Sequence, residues 1–346
     1  MILSFYPGPS KVYPQVATYL QDAYQSGILS VNHRSAEAME MVKETYRLLH
    51  EKLEIPAEYS IAFVSSATEC WEIIAQSLTR QQSLHAYNGA FGQKWAEYTQ
   101  KLGVEVIPKP FDLNDACELT EDAELICLTQ NETSNGTQIR MATLEKIREQ
   151  TTGLIALDAT SSMAGVAFNW QLGDLWFASV QKCFGLPAGL GIMIYSPRAL
   201  RWAEEINERN HYNSLLFIHE NAAKFQTHYT PNVLNIYLLK RMLEQVPVLS
   251  EVATHLKNRA QAMIQFFNQE THWEILAENP LIQSDTVLAI TGEKEKINQI
   301  KINAKSHGIM LGNGYGKWKE NTFRIANFPA LTDNEFSIVK HFITQS

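Results

Sequence analysis

The sequence predicts an α/β protein, with a mostly parallel seven-stranded sheet in a large domain and a smaller α+β domain beside it. Three observations carry this. Seven short apolar runs alternate with helical patterns between residues 60 and 195; parallel pairing requires such alternation, because each crossover needs a helix's length of chain. Near residue 200 the alternation gives way to long helical patterns with few strands. The chain has 346 residues, more than a single hydrophobic core commonly serves. The expected division is 15–235 for the large domain, with 1–14 and 236–346 forming the small one.

The elements follow in order. FYPGPSKVYP (5–14) is turn-rich and extended. Residues 14–27 and 35–53 read as helices, the second with Met39, Val42, Tyr46, Leu49 and Leu53 at helical spacing. SIAFV (60–64) is a strand, and Ser66 with Glu69 gives the S-x-x-E pattern of a capping box at the next helix. LHAYN (84–88) is a strand, QKWAEYTQKL (93–102) a helix, and VEVIPK (104–109) and LICLTQ (125–130) are strands. MATLEKIREQ (141–150) is a helix, and LIALDAT, DLWFASV and GLGIMIY complete the seven strands by residue 195. Beyond 200, residues 233–269 are strongly helical. THWEIL, TVLAIT and FRIANF are strand-like, and EKEKINQIKINAKSHG (293–308) is a helix.

Composition removes several function classes. The net charge is -8 and no Lys/Arg stripe dominates any segment, so a nucleic-acid partner is not expected. No apolar run approaches the roughly 20 residues of a spanning helix. The first residues lack the basic start and long apolar stretch of a secretory signal, so the cytoplasm is the expected location. Cys70, Cys117, Cys127 and Cys183 stand apart, which fits neither a disulfide framework nor a zinc site. Cys183 adjoins Lys182, but a nucleophilic cysteine would want a helix N-terminus or a basic partner to activate it, and that role is not the expected one.

In a parallel sheet, sites form at the C-terminal ends of the strands. Those ends carry Ser65, Ser66, Ala67 and Thr68; Gly89, Ala90, Phe91 and Gly92; Asn131 to Gly136; Asp158; and Gln181 with Lys182. An amine in apolar surroundings has a lowered pKa and forms a Schiff base with a carbonyl. A neighbouring carboxylate can keep a ring nitrogen protonated, as pyridoxal 5'-phosphate (PLP) requires. The hydroxyls and N–H groups of the SSAT helix start suit a phosphate, and an aromatic ring suits stacking. Each residue also has an ordinary reading. Lys182 can reach solvent from a sheet edge; Asp158, Ser66 and Thr68 can serve as turn or helix caps; Phe91 can be core, and Thr133 can decorate a loop. Their convergence on one edge favours ligand chemistry.

Six segments then resemble one family. FYPGPSKVYP resembles its F-x-x-GP start, VNHRS its S-HR stretch, QNETSNGTQI its NET-x-x-G segment, DATSSM its DxSS segment, and FRIANFP its C-terminal arginine segment. SVQKCFGLPAGLGIMI resembles the A-Q-K-N-x-G-P-A-G run, the most specific of the six. The chain is thus similar to the class V, fold type I PLP-dependent aminotransferases, and within them to the phosphoserine branch of serine biosynthesis.

The resemblance implies a role for each matching residue. Lys182 would be the Schiff-base lysine that also moves protons, and Asp158 the partner of the pyridine nitrogen. Phe91 would stack on the ring where the branch tends to use tryptophan. Thr133 would bond the ring hydroxyl, and Ser66, Ala67, Thr68 and Gln181 would surround the phosphate. Thr230, in HYTPN, would reach the phosphate of a partner subunit's cofactor, which implies a homodimer with shared sites. Arg324 would clamp the substrate α-carboxylate, and His33 with Arg34 would contact a substrate phosphate. Three departures stand out. SSAT has no glycine where the family has GG, and Tyr229 replaces an asparagine before Thr230. The loop before Arg324, LGNGYGKWKENTFR, lacks the branch's second His-Arg pair and leaves Lys317 or Lys319 as the available cation. That loop resembles the alanine–glyoxylate and serine–pyruvate branch, which is the alternative substrate class.

Overall fold

The computed structural model describes residues 2–345. Its main sheet has seven strands: β1 (Ser60–Val64), β2 (Gln82–Tyr87), β3 (Glu105–Pro110), β4 (Leu125–Thr129), β5 (Leu154–Asp158), β6 (Leu175–Ser179) and β7 (Gly191–Tyr195). They lie in the order β1-β7-β6-β5-β4-β2-β3. β7 is antiparallel to β6 and β1, and every other pair is parallel. Every residue of β4 to β7 is buried, which is why they read as unbroken apolar runs rather than as alternation. β3 is the exception. It is an edge strand, partly exposed, and Pro108, Lys109 and Pro110 blunt its free side.

The smaller unit has a four-stranded antiparallel sheet ordered Glu274–Ile275, Val287–Thr291, Thr322–Ala326, Gly312–Asn313. Helices Leu249–Glu270, Lys294–Ser306 and Asp333–Thr344 accompany it. Buried apolar side chains fall into two clusters. One runs from Val16 to Leu249, and the other joins Phe5 and Cys183 to residues between Met263 and Ile343.

Several expectations need correction. The helical stretch 233–269 is two helices, Val233–Leu243 and Leu249–Glu270. Pro247 lies between them and cannot donate to a continuous ladder. The short helices Pro197–Ile206 and Leu215–Ala222 and the C-terminal helix Asp333–Thr344 were not anticipated. Ser66 caps its helix by accepting from Glu69 N at 3.2 Å, but the capping box is not closed. The Glu69 carboxylate turns instead to Ser65 N and Oγ, both at 2.7 Å. Among the described residues no helix is long and apolar enough to cross a membrane.

The first residues bridge the two units. Leu3–Ser4 pairs in parallel with Ile309–Met310, and Phe5 O accepts from Ala326 N at 2.9 Å. The chain then crosses to the turn after β6. There Ser10 N donates to Gln181 O at 3.0 Å, and Ser10 Oγ donates to Gln181 O at 2.9 Å.

Candidate active site

The C-terminal ends of β1, β4, β5 and β6 open into one cavity of about 240 Å³, lined among others by Gly8, Thr68, Phe91, Thr133, Asp158 and Lys182. Ala67 and Gln181 also line it, so most of the residues read from the strand ends do meet. Ser66 does not line it, because its hydroxyl is committed to the helix cap. The Ala67 N–H is likewise taken, by Ser179 Oγ at 2.8 Å. Thr68, exposed in the first turn of that helix, is left facing the cavity.

Lys182 sits at the cavity floor with 9% of its surface exposed. Burial and the nearby Arg324 charge lower its pKa to about 8, against the pull of Asp158, Cys183 and Glu132. The ammonium form is thus disfavoured in the place where a nucleophilic or proton-accepting amine would be useful. Gly8 packs directly on it: a Cβ there would lie 2.5 Å from Lys182 Cε and 2.7 Å from Nζ, and its φ of +146° suits glycine. Phe91 faces the amine, with Nζ 5.8 Å from the ring centre.

Asp158 ends β5 and is 5% exposed. Burial raises its pKa, while hydrogen bonds from Thr160 (N to Oδ1, 2.9 Å) and the Lys182 charge act the other way. Thr133 is buried, and its Oγ1 bonds Ser161 Oγ at 2.8 Å. Its carbonyl accepts from Arg324 Nη1 at 2.7 Å, and Arg324 Nε donates to Asn313 O at 2.6 Å. Two of the three guanidinium nitrogens are thereby fixed to backbone. Nη2 has no hydrogen-bond partner among the described residues, so one arm of the fork is free for an anion. Tyr315 links these parts. It stacks on Phe91 at 5.0 Å and 14°, lies 5.7 Å from Arg324 Cζ, and accepts a 2.6 Å hydrogen bond from Lys94 Nζ at its hydroxyl.

Two residues lining the cavity carry buried polar atoms with no protein partner, Thr129 Oγ1 and Gln181 Oε1, while the Trp71 and Thr160 side chains turn to the Asp158 carboxylate. Orphaned groups of that kind are costly unless a ligand or water meets them. Together with an amine of lowered pKa, a buried carboxylate and an aromatic wall, they fit pyridoxal phosphate. Among the described residues no His/Cys/Asp/Glu cluster could hold a metal ion. Gly8, Pro9, Trp71, Thr129 and Tyr315 were not identified from the sequence; the Gly-Pro pair in FYPGP was the one visible signal.

Six predicted residues do not line this cavity: Ser66, Arg324, which reaches it through its bond to Thr133 O, and four that lie elsewhere. His33 and Arg34 sit in the turn before helix Ala36–Lys52, and Thr230 is exposed before helix Val233–Leu243. Lys317 is exposed, places Nζ 4.6 Å from the Trp318 ring centre, and lines a separate cleft of about 610 Å³ with Asn88, Phe111 and Asp112.

The model of the family described as Aminotransferase class-V matches residues 3–316. A solved phosphoserine aminotransferase from Cytophaga hutchinsonii is 30% identical, covers 100% of this chain and 99% of its own, and superposes with a TM-score of 0.94. The phosphoserine aminotransferase of Rhodococcus opacus is 26% identical over 95% of this chain and 91% of its own. The alanine–glyoxylate aminotransferase structure from Nostoc, 18% identical over 99% and 94%, superposes at 0.83 and shares the fold.

Proposed function

Because the chain belongs to the class-V aminotransferase family and is a PLP-dependent aminotransferase, we propose that it moves the amino group between glutamate and 3-phosphohydroxypyruvate, making phosphoserine. The observation that carries this reading is the whole-length relation to a phosphoserine aminotransferase at 30% identity.

When bound, pyridoxal phosphate supplies an aldehyde that condenses with amines and a ring that draws off electrons from the substrate Cα. The chain's own residues do the rest. Arg324 holds the substrate α-carboxylate through its free Nη2 and fixes which Cα bond faces the amine. Lys182, whose pKa near 8 leaves an appreciable neutral fraction at neutral pH, takes the Cα proton and returns it across the C–N bond. Asp158 keeps a proton on the ring nitrogen by offering a buried negative charge. Phe91 and Gly8 exclude water around the amine. Thr133 would hold the ring hydroxyl and Thr68 with Gln181 the phosphate; Ala67, its N–H spent on Ser179, would only line the cavity, and Ser66 would act through its helix cap. His33, Arg34 and Thr230, placed outside their own cavity, serve the site of a second copy, so the working unit is a homodimer. The domain division at 15–235 against 1–14 with 236–346 belongs to the same reading; Phe5 in the C-terminal cluster supports the placing of 1–14, while Ile236 to Leu249 pack with the large cluster.

A smaller substrate such as alanine or serine, with glyoxylate or pyruvate as acceptor, is the second reading. The loop before Arg324 favours it, because it lacks the second His-Arg pair a phosphate would call for, and its Lys317 lines a separate cleft. The PLP form titrated separately with phosphoserine, serine, alanine and glutamate distinguishes the two. Conversion to the amine form by phosphoserine and glutamate is expected; conversion by alanine but not phosphoserine would overturn the first reading. Arg34→Ala should weaken phosphoserine specifically, and an equal loss for every amino acid would remove Arg34 from phosphate binding.

A further inference from the structure

We propose that Glu132 is a positioning residue for the reaction: its carboxylate fixes Phe91, the aromatic wall of the cofactor cavity, in register with the Arg324 clamp. The inference rests on the reading that the cofactor ring lies against Phe91.

The helix Ala90–Lys101 begins at Gly89, which has no side chain to cap it. No other residue fits there, since a Cβ would collide with Cγ and Cδ of Glu132. The cap comes from 40 residues further along the chain. Glu132 Oε2 accepts from Phe91 N at 3.0 Å and Gly92 N at 3.1 Å, and Ser134 Oγ accepts from Ala90 N at 3.0 Å. Glu132 Oε1 accepts from Ser134 N at 2.9 Å. Between the two capping residues, Thr133 O receives Arg324 Nη1 and Thr133 Oγ1 bonds Ser161. Three consecutive residues therefore join the Phe91 turn, the Arg324 fork and the segment after Asp158.

A buried carboxylate is an expensive way to cap a helix. Glu132 is 2% exposed and has no ion pair within 4 Å among the described residues, and burial pushes its pKa up. An N-cap Ser or Asp would satisfy the same donors locally. What the distant carboxylate adds is a fixed link between parts of the site. It also adds a negative charge that favours the Lys182 ammonium and opposes the influence of Arg324. Glutamine cannot replace it, because an amide has one acceptor oxygen. Either the Phe91 and Gly92 donors or the Ser134 donor would face an NH2 group.

The test compares wild type, E132Q, F91A and F91A/E132Q. Two quantities are read: the dissociation constant of PLP, by quenching of protein fluorescence in the stripped protein, and the induced circular dichroism of the bound cofactor. F91A is expected to weaken PLP about tenfold or more, by loss of a stacked ring. E132Q should weaken it by a similar factor and alter the dichroic band. In the F91A background E132Q should cost less than about twofold, the signature of residues acting through one another. An equal E132Q cost in both backgrounds, or a wild-type band in E132Q, overturns the proposal and leaves the placement of the ring intact. An F91A protein that binds PLP normally overturns that placement and the proposal with it. If E132Q does not fold, E132D, one methylene shorter, takes its place in the same two measurements. A weakened Kd with an altered band then supports the proposal, and a wild-type band overturns it.

Discussion

Replacing Lys182 with methionine should stabilise the cofactor-free protein, and the gain should depend on pH. A pKa lowered from 10.5 to about 8 means that the fold disfavours the ammonium. At 1.36 kcal/mol per pH unit this amounts to about 3 kcal/mol. The direction follows from proton counting. Between pH 8 and 10.5 the unfolded chain holds the proton and the folded chain does not, so stability falls as pH drops through that window and levels off below 8. Lys182→Met removes the titration and keeps most of the apolar volume. With an unfolding entropy of roughly 2.1 cal/mol/K per residue, 3 kcal/mol corresponds to about 4 °C in a chain of this length. Thermal melts of stripped wild type and Lys182→Met at pH 7 and pH 9.5 measure it. The variant should melt about 4 °C higher at pH 7, and the gap should shrink by about half at pH 9.5. A gap that is absent, or the same at both pH values, would refute the reasoning, because the amine would then be as well solvated folded as unfolded.

Two further substitutions probe the same cavity. Gly8→Ala places a methyl group 2.5 Å from Lys182 Cε and demands a φ that alanine rarely adopts. Transamination should fall roughly 100-fold while stability drops by only about 1–3 kcal/mol, as steady-state rates and urea melts would record; wild-type turnover would contradict the packing. Arg324→Lys loses the fork and its bonds to Thr133 O and Asn313 O. KM for the amino acid should rise about 10- to 100-fold, in line with roughly 1.5–3 kcal/mol for a charged hydrogen bond, and an unchanged KM would remove Arg324 from the carboxylate.

All seven strands of the main sheet were legible because apolar runs bounded by helices are local signals. Lys182 and Asp158 were legible for a related reason: both stand at the ends of such runs, where a polar residue is conspicuous. The ceiling of the site was not. Gly8 packs on Lys182, and Ser10 bonds Gln181 across 171 positions of chain; Lys94 meets Tyr315 across 221. No periodicity reports contacts of that range. Ser66 illustrates a different limit. A hydroxyl at a helix start serves equally as a cap or as a phosphate ligand, and only the position of Glu69 N shows that it is spent as a cap. In the sequence Glu132 is one polar residue in a loop. Its partners are the backbone N–H groups of another helix, which leave no trace in side-chain pattern.

The strip of chain from Leu3 to Ser10 has a consequence for how the molecule comes into being. Its partners at Ile309 and Ala326 lie roughly 300 residues away, and at about 5–20 residues per second a ribosome makes them tens of seconds later. Until then the strip that covers the amine is anchored at one end only, by Ser10 on Gln181 O. The large sheet can form meanwhile, with Lys182 still uncovered. A functional cavity therefore appears only when the last strands are made, so that cofactor capture reports a finished chain. Nascent chains arrested before residue 309 should bind PLP poorly even where the sheet is fully formed.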